Sequence, residues 1–252
     1  VTYLGNAQQY LTGQGFQNIE GGITRTTVGQ AFNSFYGYQN MGVFQTQAEV
    51  DGYVSSTGQK IQPNAKPGDF KWADLDGNGT ITDLDRTYIG NPTPTWQFGL
   101  TLNLAYKGFD LVVFGQGQAG NKIFQGLHRL DIENSNYTTK VLNRWTGAGT
   151  SNTYPRLVSG DPNHNTTYNS SFYLEDGSYF RIKTLQIGYT LPKTLINKIG
   201  MQRARIYATS ENLLTFTKYT GYDPEIGGGV FSIDRGFYPQ ARSFMVGLSV
   251  GF

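Results

Sequence analysis

Apolar and polar residues alternate most cleanly between Trp96 and Tyr106. Trp96, Phe98, Leu100, Leu102, Leu104 and Tyr106 hold the even positions, and Gln97, Gly99, Thr101, Asn103 and Ala105 the odd ones. A period of two marks a strand with one apolar and one polar face. Its length matches the ~9–11 residues with which a tilted strand crosses an outer membrane. Aromatic ends with leucines between them fit interfacial girdles around a lipid band. Lys107-Gly108 follows as a two-residue turn, with Gly available for positive φ. A second strand is predicted from Phe109 to about Gln118, less cleanly, because Val112 and Phe114 share a face with Asp110 and Gln116.

A third strand is predicted over about Tyr179–Leu191, where Leu185, Ile187, Tyr189 and Leu191 alternate with Gln186, Gly188 and Thr190. Arg181 and Lys183 share the apolar parity. Either they stand above the lipid band or a bulge changes the phase between them and Leu185. Pro192 ends the strand, and the link that follows has room for one helical turn at Leu195–Ile199. A fourth strand is predicted from about Arg203 to Phe216. The last runs from Arg242 to Phe252, with Phe244, Val246, Leu248, Val250 and Phe252 on one face and Ser243, Met245, Gly247, Ser249 and Gly251 on the other.

The links alternate in length: two residues, then roughly 60, about 11 and about 25, the short-turn and long-loop pattern of outer-membrane barrels, with the long loops extracellular. A soluble β-sandwich shares the period but has no reason to alternate its links. Residues 1–95 carry no strong strand pattern, only one aromatic cluster, Phe32-Asn-Ser-Phe-Tyr-Gly-Tyr38. The pattern therefore predicts an extracellular loop region at 1–95 and barrel strands and loops at 96–252. The fold class is all-β, an antiparallel transmembrane barrel segment.

Composition narrows the class. Only 15% of the residues are charged, against about 25% in soluble domains. Gly and uncharged polar residues replace the charge, and Tyr (17) and Phe (16) are abundant. That mixture suits a secreted β-protein or an outer-membrane barrel, whose strands alternate lipid-facing apolar with lumen-facing polar residues. A net charge of +2 without a basic run gives no reason to expect nucleic acid as a partner. The absence of cysteine excludes disulfides, zinc–thiolate sites and cysteine nucleophiles. No stretch approaches the ~20 apolar residues of a transmembrane helix. The opening Val1-Thr-Tyr-Leu-Gly-Asn6 has no charged head or apolar core of a signal peptide. An exported protein would carry that signal elsewhere.

The sharpest local motif runs from Asp74 to Asp85. Calcium takes six to eight oxygen ligands, and an EF-hand loop supplies them from positions 1, 3, 5, 7, 9 and 12 with Gly at 6. Those positions here are Asp74, Asp76, Asn78, Thr80 by its carbonyl, Thr82 through water, and Asp85. Gly79 stands at 6 and the apolar Ile81 at 8. Asp replaces the usual Glu at 12, which shortens the reach. A Ca²⁺ site is expected at Asp74, Asp76, Asn78, Thr80 and Asp85. A polar turn that binds nothing is the alternative.

No catalytic constellation is visible, and no enzyme is expected. His128 and His164 lie in no metal or nucleophile motif and read as surface loop residues. Gly115-Gln-Gly-Gln-Ala-Gly120 follows a strand but precedes no helix pattern and no Lys-Ser/Thr, so it is not a phosphate loop. Asp131 and Glu133 have no local reason to be catalytic, and Gly227-Gly228-Gly229 is a loop tip.

Several segments resemble signatures of the SusC/RagA family of TonB-dependent outer-membrane transporters. They are Ser34-Phe-Tyr-Gly-Tyr38 with Gly42-Val-Phe-Gln45, Pro67-Gly-Asp69 leading into the Asp-rich loop, and Asp85-Arg-Thr-Tyr-Ile-Gly-Asn-Pro92. Further along come Tyr106-Lys-Gly-Phe-Asp110, Glu211-Asn-Leu-Leu-Thr-Phe-Thr-Lys-Tyr219, Gly221-Tyr-Asp-Pro-Glu225 and Tyr238-Pro-Gln-Ala-Arg242. Together they span about residues 30–252 in the family's order. The resemblance implies the last five or so strands of a 22-stranded barrel. It implies import of oligosaccharide or peptide cargo with a SusD-like surface lipoprotein, energised by TonB through a plug absent from this sequence. Five strands cannot close a barrel, since the smallest have eight, so the remaining strands must come from elsewhere. The loops at 119–178 and 220–238 are rich in Tyr, Asn and Asp, which suits sugar stacking and contact with the lipoprotein. Phe252 on an apolar strand face resembles the signal read by the barrel-assembly machinery, which predicts a periplasmic carboxy terminus. The competing reading is a soluble, secreted, calcium-stabilised β-rich binding module.

Overall fold

The structure, a computed structural model, describes residues 17–19, 22–127, 136–196, 198, 200–225 and 232–252. Its strands in chain order are β1 (Gln17–Ile19), β2 (Thr24–Thr26), β3 (Ser34–Tyr38), β4 (Asn40–Val43), β5 (Phe70–Trp72), β6 (Arg86–Gly90) and β7 (Trp96–Tyr106). They continue as β8 (Phe109–Ala119), β9 (Lys122–Gln125), β10 (Leu174–Asp176), β11 (Tyr179–Thr190), β12 (Arg203–Thr217), β13 (Ile233–Asp234) and β14 (Ser243–Gly251). Two short helices are α1 (Gln47–Gly52) and α2 (Lys193–Ile196). The chain falls into two compact units. Unit 1 holds Val1–Thr93, Lys122–Glu175 and Gly228–Gly236; unit 2 holds Pro94–Asn121, Asp176–Gly227 and Phe237–Phe252.

Unit 1 is built from small sheets in the orders β1-β2-β3-β6, β10-β9-β13 and β4-β5. The sequence pattern predicted no strands here. For β3 the reason is burial: all of Ser34–Tyr38 is buried, and a strand covered on both faces shows no alternation; the other strands are too short to show a period. The aromatic residues form the core. Phe35, Phe124, Tyr173 and Ile233 make one cluster, and Tyr38, Val43, Phe70 and Trp72 another. Phe44 and Val50 anchor α1 on a third with Ala65.

Side-chain amides complete the hydrogen bonding of the short strand β5. Gln62 Oε1 accepts from the Trp72 N–H at 2.8 Å, Asn165 Oδ1 from the Phe70 N–H at 2.9 Å, and the Phe70 carbonyl accepts from Gln62 and Asn163 at 2.9 and 3.0 Å. Asp69, fully buried, is held by Arg156 Nε and Nη2 at 2.7 and 3.0 Å and by Asn165 Nδ2 at 2.8 Å. A buried carboxylate requires this degree of pairing.

Unit 2 is one antiparallel sheet in the order β14-β12-β11-β8-β7. Lys107 and Gly108 join β7 to β8 with φ of 47° and 89°, both positive, as a type I′ hairpin requires. The helical turn expected at Leu195–Ile199 forms at Lys193–Ile196. Within this chain the sheet is not closed: β7 and β14 are its edges.

The doubt over Arg181 and Lys183 is resolved by a bulge. Ile182 pairs with Gly115 and Thr184 with Phe114, so Lys183 is an extra residue and the phase of β11 changes across it. Phe180 and Ile182 thereby share a face with Leu185 and Ile187, and Arg181 turns to the other side.

Candidate functional site

The register places the apolar residues of unit 2 on one face. At one level Phe98, Gly117, Phe180 and Phe216 lie side by side across four strands. Their rings form a row, Phe98 to Phe180 at 6.1 Å and Phe180 to Phe216 at 6.4 Å between centroids. Two glycines of β8 make room for it. A Cβ on Gly115 would meet the Phe180 ring at 2.5 Å, and one on Gly117 the Phe98 ring at 2.8 Å. At the turn end Tyr106, Phe109 and Tyr189 form a second aromatic row, with Phe109 and Tyr189 4.5 Å apart. Leu100, Leu102, Leu104, Ile187, Val246 and Leu248 occupy the band between, and all are exposed. The rows are eight residues apart along β7, about 27 Å along the strand at 3.3–3.4 Å per residue and about 20 Å of height at the ~40° tilt of barrel strands, comparable with the ~25 Å apolar band of an outer-membrane barrel.

The opposite face is polar and carries two ionic clasps. Near the turn, Arg205 on β12 reaches across Gly188 to grip Asp110 on β8 with Nε and Nη2. At the long-loop end Arg181 is buried between two acids of the segment that follows β12. Its Nη2 donates to Asp223 Oδ1 at 2.5 Å and its Nη1 to Glu225 Oε2 at 2.7 Å. Lys183 and Gln116 also donate to Glu225, at 2.6 and 3.1 Å. Asp223 accepts as well from the N–H groups of Gln240 and Glu225, both at 2.8 Å. Burial pushes the Asp223 carboxyl up, but Arg181 and these N–H groups outweigh it and hold it below the usual carboxylate range. The bulge at Lys183 is what aims Arg181 inward. Sequence reading found the Gly221–Glu225 motif and the misphased Arg181 separately; nothing in the pattern paired them.

In unit 1 the loop from Asp74 to Asp85 is tightly curled. Gly79 has φ of 83°. Its N–H and that of Gly77 donate to Asp74 at 2.9 Å. Asp85 is fully buried and accepts from the N–H groups of Leu75 and Thr82, both at 2.7 Å. Thr82 caps the turn Asp83–Asp85 in a capping box with Asp85. Ile81 packs beside the cluster of Tyr38, Phe70 and Trp72. Carboxylate oxygens of Asp74, Asp76 and Asp85 lie within 4.8 Å of one another. Asn78 Oδ1 is turned to its own loop, accepting from the Thr80 N–H and hydroxyl at 2.8 Å each.

The other singled-out residues that the structure describes have packing roles. His164 stacks on Tyr168 at 4.5 Å and bonds the Thr167 hydroxyl. Gly115 and Gly117 are strand residues beneath aromatic rings. His128, Asp131, Glu133 and Gly227–Gly229 lie outside the described residues.

No family model matches the chain. Curated relatives do. TonB-dependent receptor P3 of Formosa agariphila is 37% identical over 89% of this chain, and receptor P26 of the same organism 32% over 92%. TonB-dependent receptor SusC of Bacteroides thetaiotaomicron is 29% identical over 89%. The chain belongs to the SusC/RagA family. It spans about a fifth to a quarter of those relatives, 22%, 24% and 20% of their lengths. Among solved structures, the RagAB peptide transporter matches with a TM-score of 0.69 at 24% identity, covering 94% of this chain and 24% of that one. The closed-closed state of the RagAB peptide importer also matches at 0.69, with 25% identity.

The SusC/RagA assignment accounts for both faces of unit 2. The sheet is a stretch of barrel wall, with aromatic rows and leucines on one face and the clasps on the other. Val112 and Phe114, which blurred the pattern of the second strand, share the polar face with Asp110 and Gln116.

Proposed function

We propose that this chain forms part of the wall and loops of an outer-membrane TonB-dependent transporter that imports large nutrients, glycans or peptides, with a SusD-like surface lipoprotein. The observation that supports it is the two-faced sheet, apolar between aromatic rows on one side and polar with paired charges on the other. In this reading the long loops are extracellular and the two-residue turn and carboxy terminus are periplasmic. TonB acts through a plug supplied by other parts of the full-length protein. The barrel-assembly machinery inserts the strands together with the rest of the barrel. The work is binding and passage of cargo rather than catalysis. A soluble secreted module is disfavoured by the exposed leucines, since soluble monomers rarely expose apolar patches beyond a few hundred Å².

The test is uptake by cells carrying the full-length gene. Import should require TonB and the proton-motive force, and affinity purification of the protein should recover a surface lipoprotein. Import that persists without TonB would overturn the reading.

We further propose that Asp74, Asp76, Asn78, Asp85 and the Thr80 carbonyl hold one Ca²⁺, with Thr82 contributing through water. The donor set fits. It is all oxygen, on a loop already curled by Gly79, and three carboxylates packed this closely repel by on the order of 3 kcal/mol per pair at an effective dielectric of 20, less where solvent reaches Asp76. The ion would brace the loop and supply no chemistry. Terbium luminescence and thermal unfolding with and without a chelator test it independently of transport.

A further inference from the structure

Unpaired positive charge collects at the short-turn end of unit 2. Lys107 is in the turn between β7 and β8, and Lys193, Lys198 and Arg203 lie on the link from β11 to β12 and at its exit. All four are exposed, and among the described residues none of them forms an ion pair. The stretch 190–204 holds no Asp or Glu. Asp110, the acid at this end of the sheet, is already gripped by Arg205. The whole chain carries only +2, so these four cations leave the remainder net negative, and the basic excess is local to this end. We propose that this surface binds the headgroups of anionic phospholipids in the periplasmic leaflet of the outer membrane. The inference rests on the orientation proposed above, with the two-residue turn on the periplasmic side.

Two observations fit a lipid interface. The first is the aromatic row at the turn: Tyr106 and Phe109 are 70% and 58% exposed on the apolar face. Aromatic rings of this kind sit at headgroup level. Lys107 Nζ lies 5.1 Å from the centroid of the Tyr106 ring, which holds the ammonium where a lipid phosphate would be. A lysine covers apolar surface with its stem and keeps its charge in the polar layer. The second is α2, which packs against β12. Its Ile196 is buried at 2% exposure, but Leu195 beside it is 57% exposed, between Lys193 and Lys198. An apolar side chain left out among lysines suits the boundary between acyl chains and phosphates.

The surface does not depend on strands outside this chain. β11 and β12 are flanked on both sides by its own strands, β8 and β14. The Gly108 carbonyl accepts from the Thr190 N–H at 2.8 Å, which ties the β7–β8 turn to the start of the link. The Gln202 N–H donates to the Gly251 carbonyl at 2.8 Å, which ties its end to β14. Lys107, Lys193 and Lys198 therefore stand on adjacent, fastened connections. Arg203 shares the polar face of Arg205 and adds to the local field from there.

Charge decides the class of lipid. Each lysine near an anionic surface strengthens association about fivefold, and a zwitterionic headgroup, with no net charge, gains little from it.

The experiment uses the full-length receptor reconstituted in vesicles of phosphatidylcholine and phosphatidylglycerol, with a fluorophore on Thr194→Cys. Quenching by acyl-brominated phosphatidylglycerol and by acyl-brominated phosphatidylcholine reads which lipid occupies this end. Phosphatidylglycerol should be favoured. Lys107→Gln, Lys193→Gln and Lys198→Gln should each lower that preference by about fivefold at low salt, and by less as salt screens the charges. Lys60→Gln, which breaks the pair with Asp51 in unit 1, should leave it unchanged. Heat-modifiable mobility checks that each variant assembles; should one fail to, the other two decide. Equal quenching by both lipids, or a preference unchanged in the lysine variants, would overturn the assignment. So would loss of the preference on adding inorganic phosphate at matched ionic strength, which would mark a free-anion site. A membrane-impermeant maleimide separates the two readings. Labelling of Thr194→Cys on intact cells removes the orientation beneath the proposal, whereas a protected cysteine with equal quenching removes the lipid surface alone.

Discussion

Arg181 and Asp223 bury each other: their side chains are 4% and 7% exposed, and Arg181 Nη2 donates to Asp223 Oδ1 at 2.5 Å. One residue is in β11 and the other in the segment that follows β12, so the pair fastens that segment to the polar face of the sheet. Removing one partner of a buried pair leaves the other charge stranded, at a cost of about 3–5 kcal/mol. Arg181→Ala should therefore free the segment near Asp223 to limited proteolysis while leaving the barrel's heat-modifiable mobility intact. Unchanged proteolysis would refute the clasp.

The same pair sets a pH dependence. The folded-state pKa of Asp223 lies below its ordinary value, so its contribution to stability is present above the unfolded carboxylate pKa of ~3.9 and is lost as pH falls through the lower folded value. Protection of the segment should hold from neutral pH to about pH 4 and fail below it. Asp223→Asn should remove that acid-dependent step. A step near pH 6 instead would point to another group.

Leu102 stands midway between the aromatic rows, and Asn103 beside it points to the opposite, polar face. In the full-length barrel Leu102→Arg should destabilise by about 2–4 kcal/mol near the midplane, while Asn103→Arg should cost far less. Reversible unfolding in lipid vesicles measures both. Equal costs would remove the distinction between the faces.

Gly117 lies against the Phe98 ring and the Tyr179 carbonyl oxygen. The ring could turn aside, but the carbonyl belongs to a paired strand. Gly117→Val should overpack this site by about 1–3 kcal/mol and lower the yield of heat-modifiable barrel. Gly99→Val, where a Cβ would meet only ordinary contacts, is the control. Equal yields would show that the row does not depend on the glycine.

At a Ca²⁺ concentration of 100 times its Kd, the loop from Asp74 to Asp85 should gain about 2.7 kcal/mol by linkage. A chelator should lower the unfolding temperature, and Asp74→Ala should abolish both this shift and terbium luminescence. Identical melting with and without chelator would refute the site.

Much of this was legible in the chain. A strand with one face on lipid writes its burial directly into a period of two, so Trp96–Tyr106 and Ser243–Gly251 could be read residue by residue. The motif from Asp74 to Asp85 was legible because its turn chemistry is local: each carboxylate bonds N–H groups a few residues away. Among the strands of unit 1, β3 was hidden because burial on both faces erases alternation, and the others are too short to show one. The bulge at Lys183 was visible only as a break in parity, and its direction depended on the register with β8. The clasp could not be read at all, because Arg181 meets Asp223 42 residues away. Local sequence determines which way each side chain of a strand can point. Which side chains then face one another depends on the register of distant strands, and that is set only when the whole sheet forms.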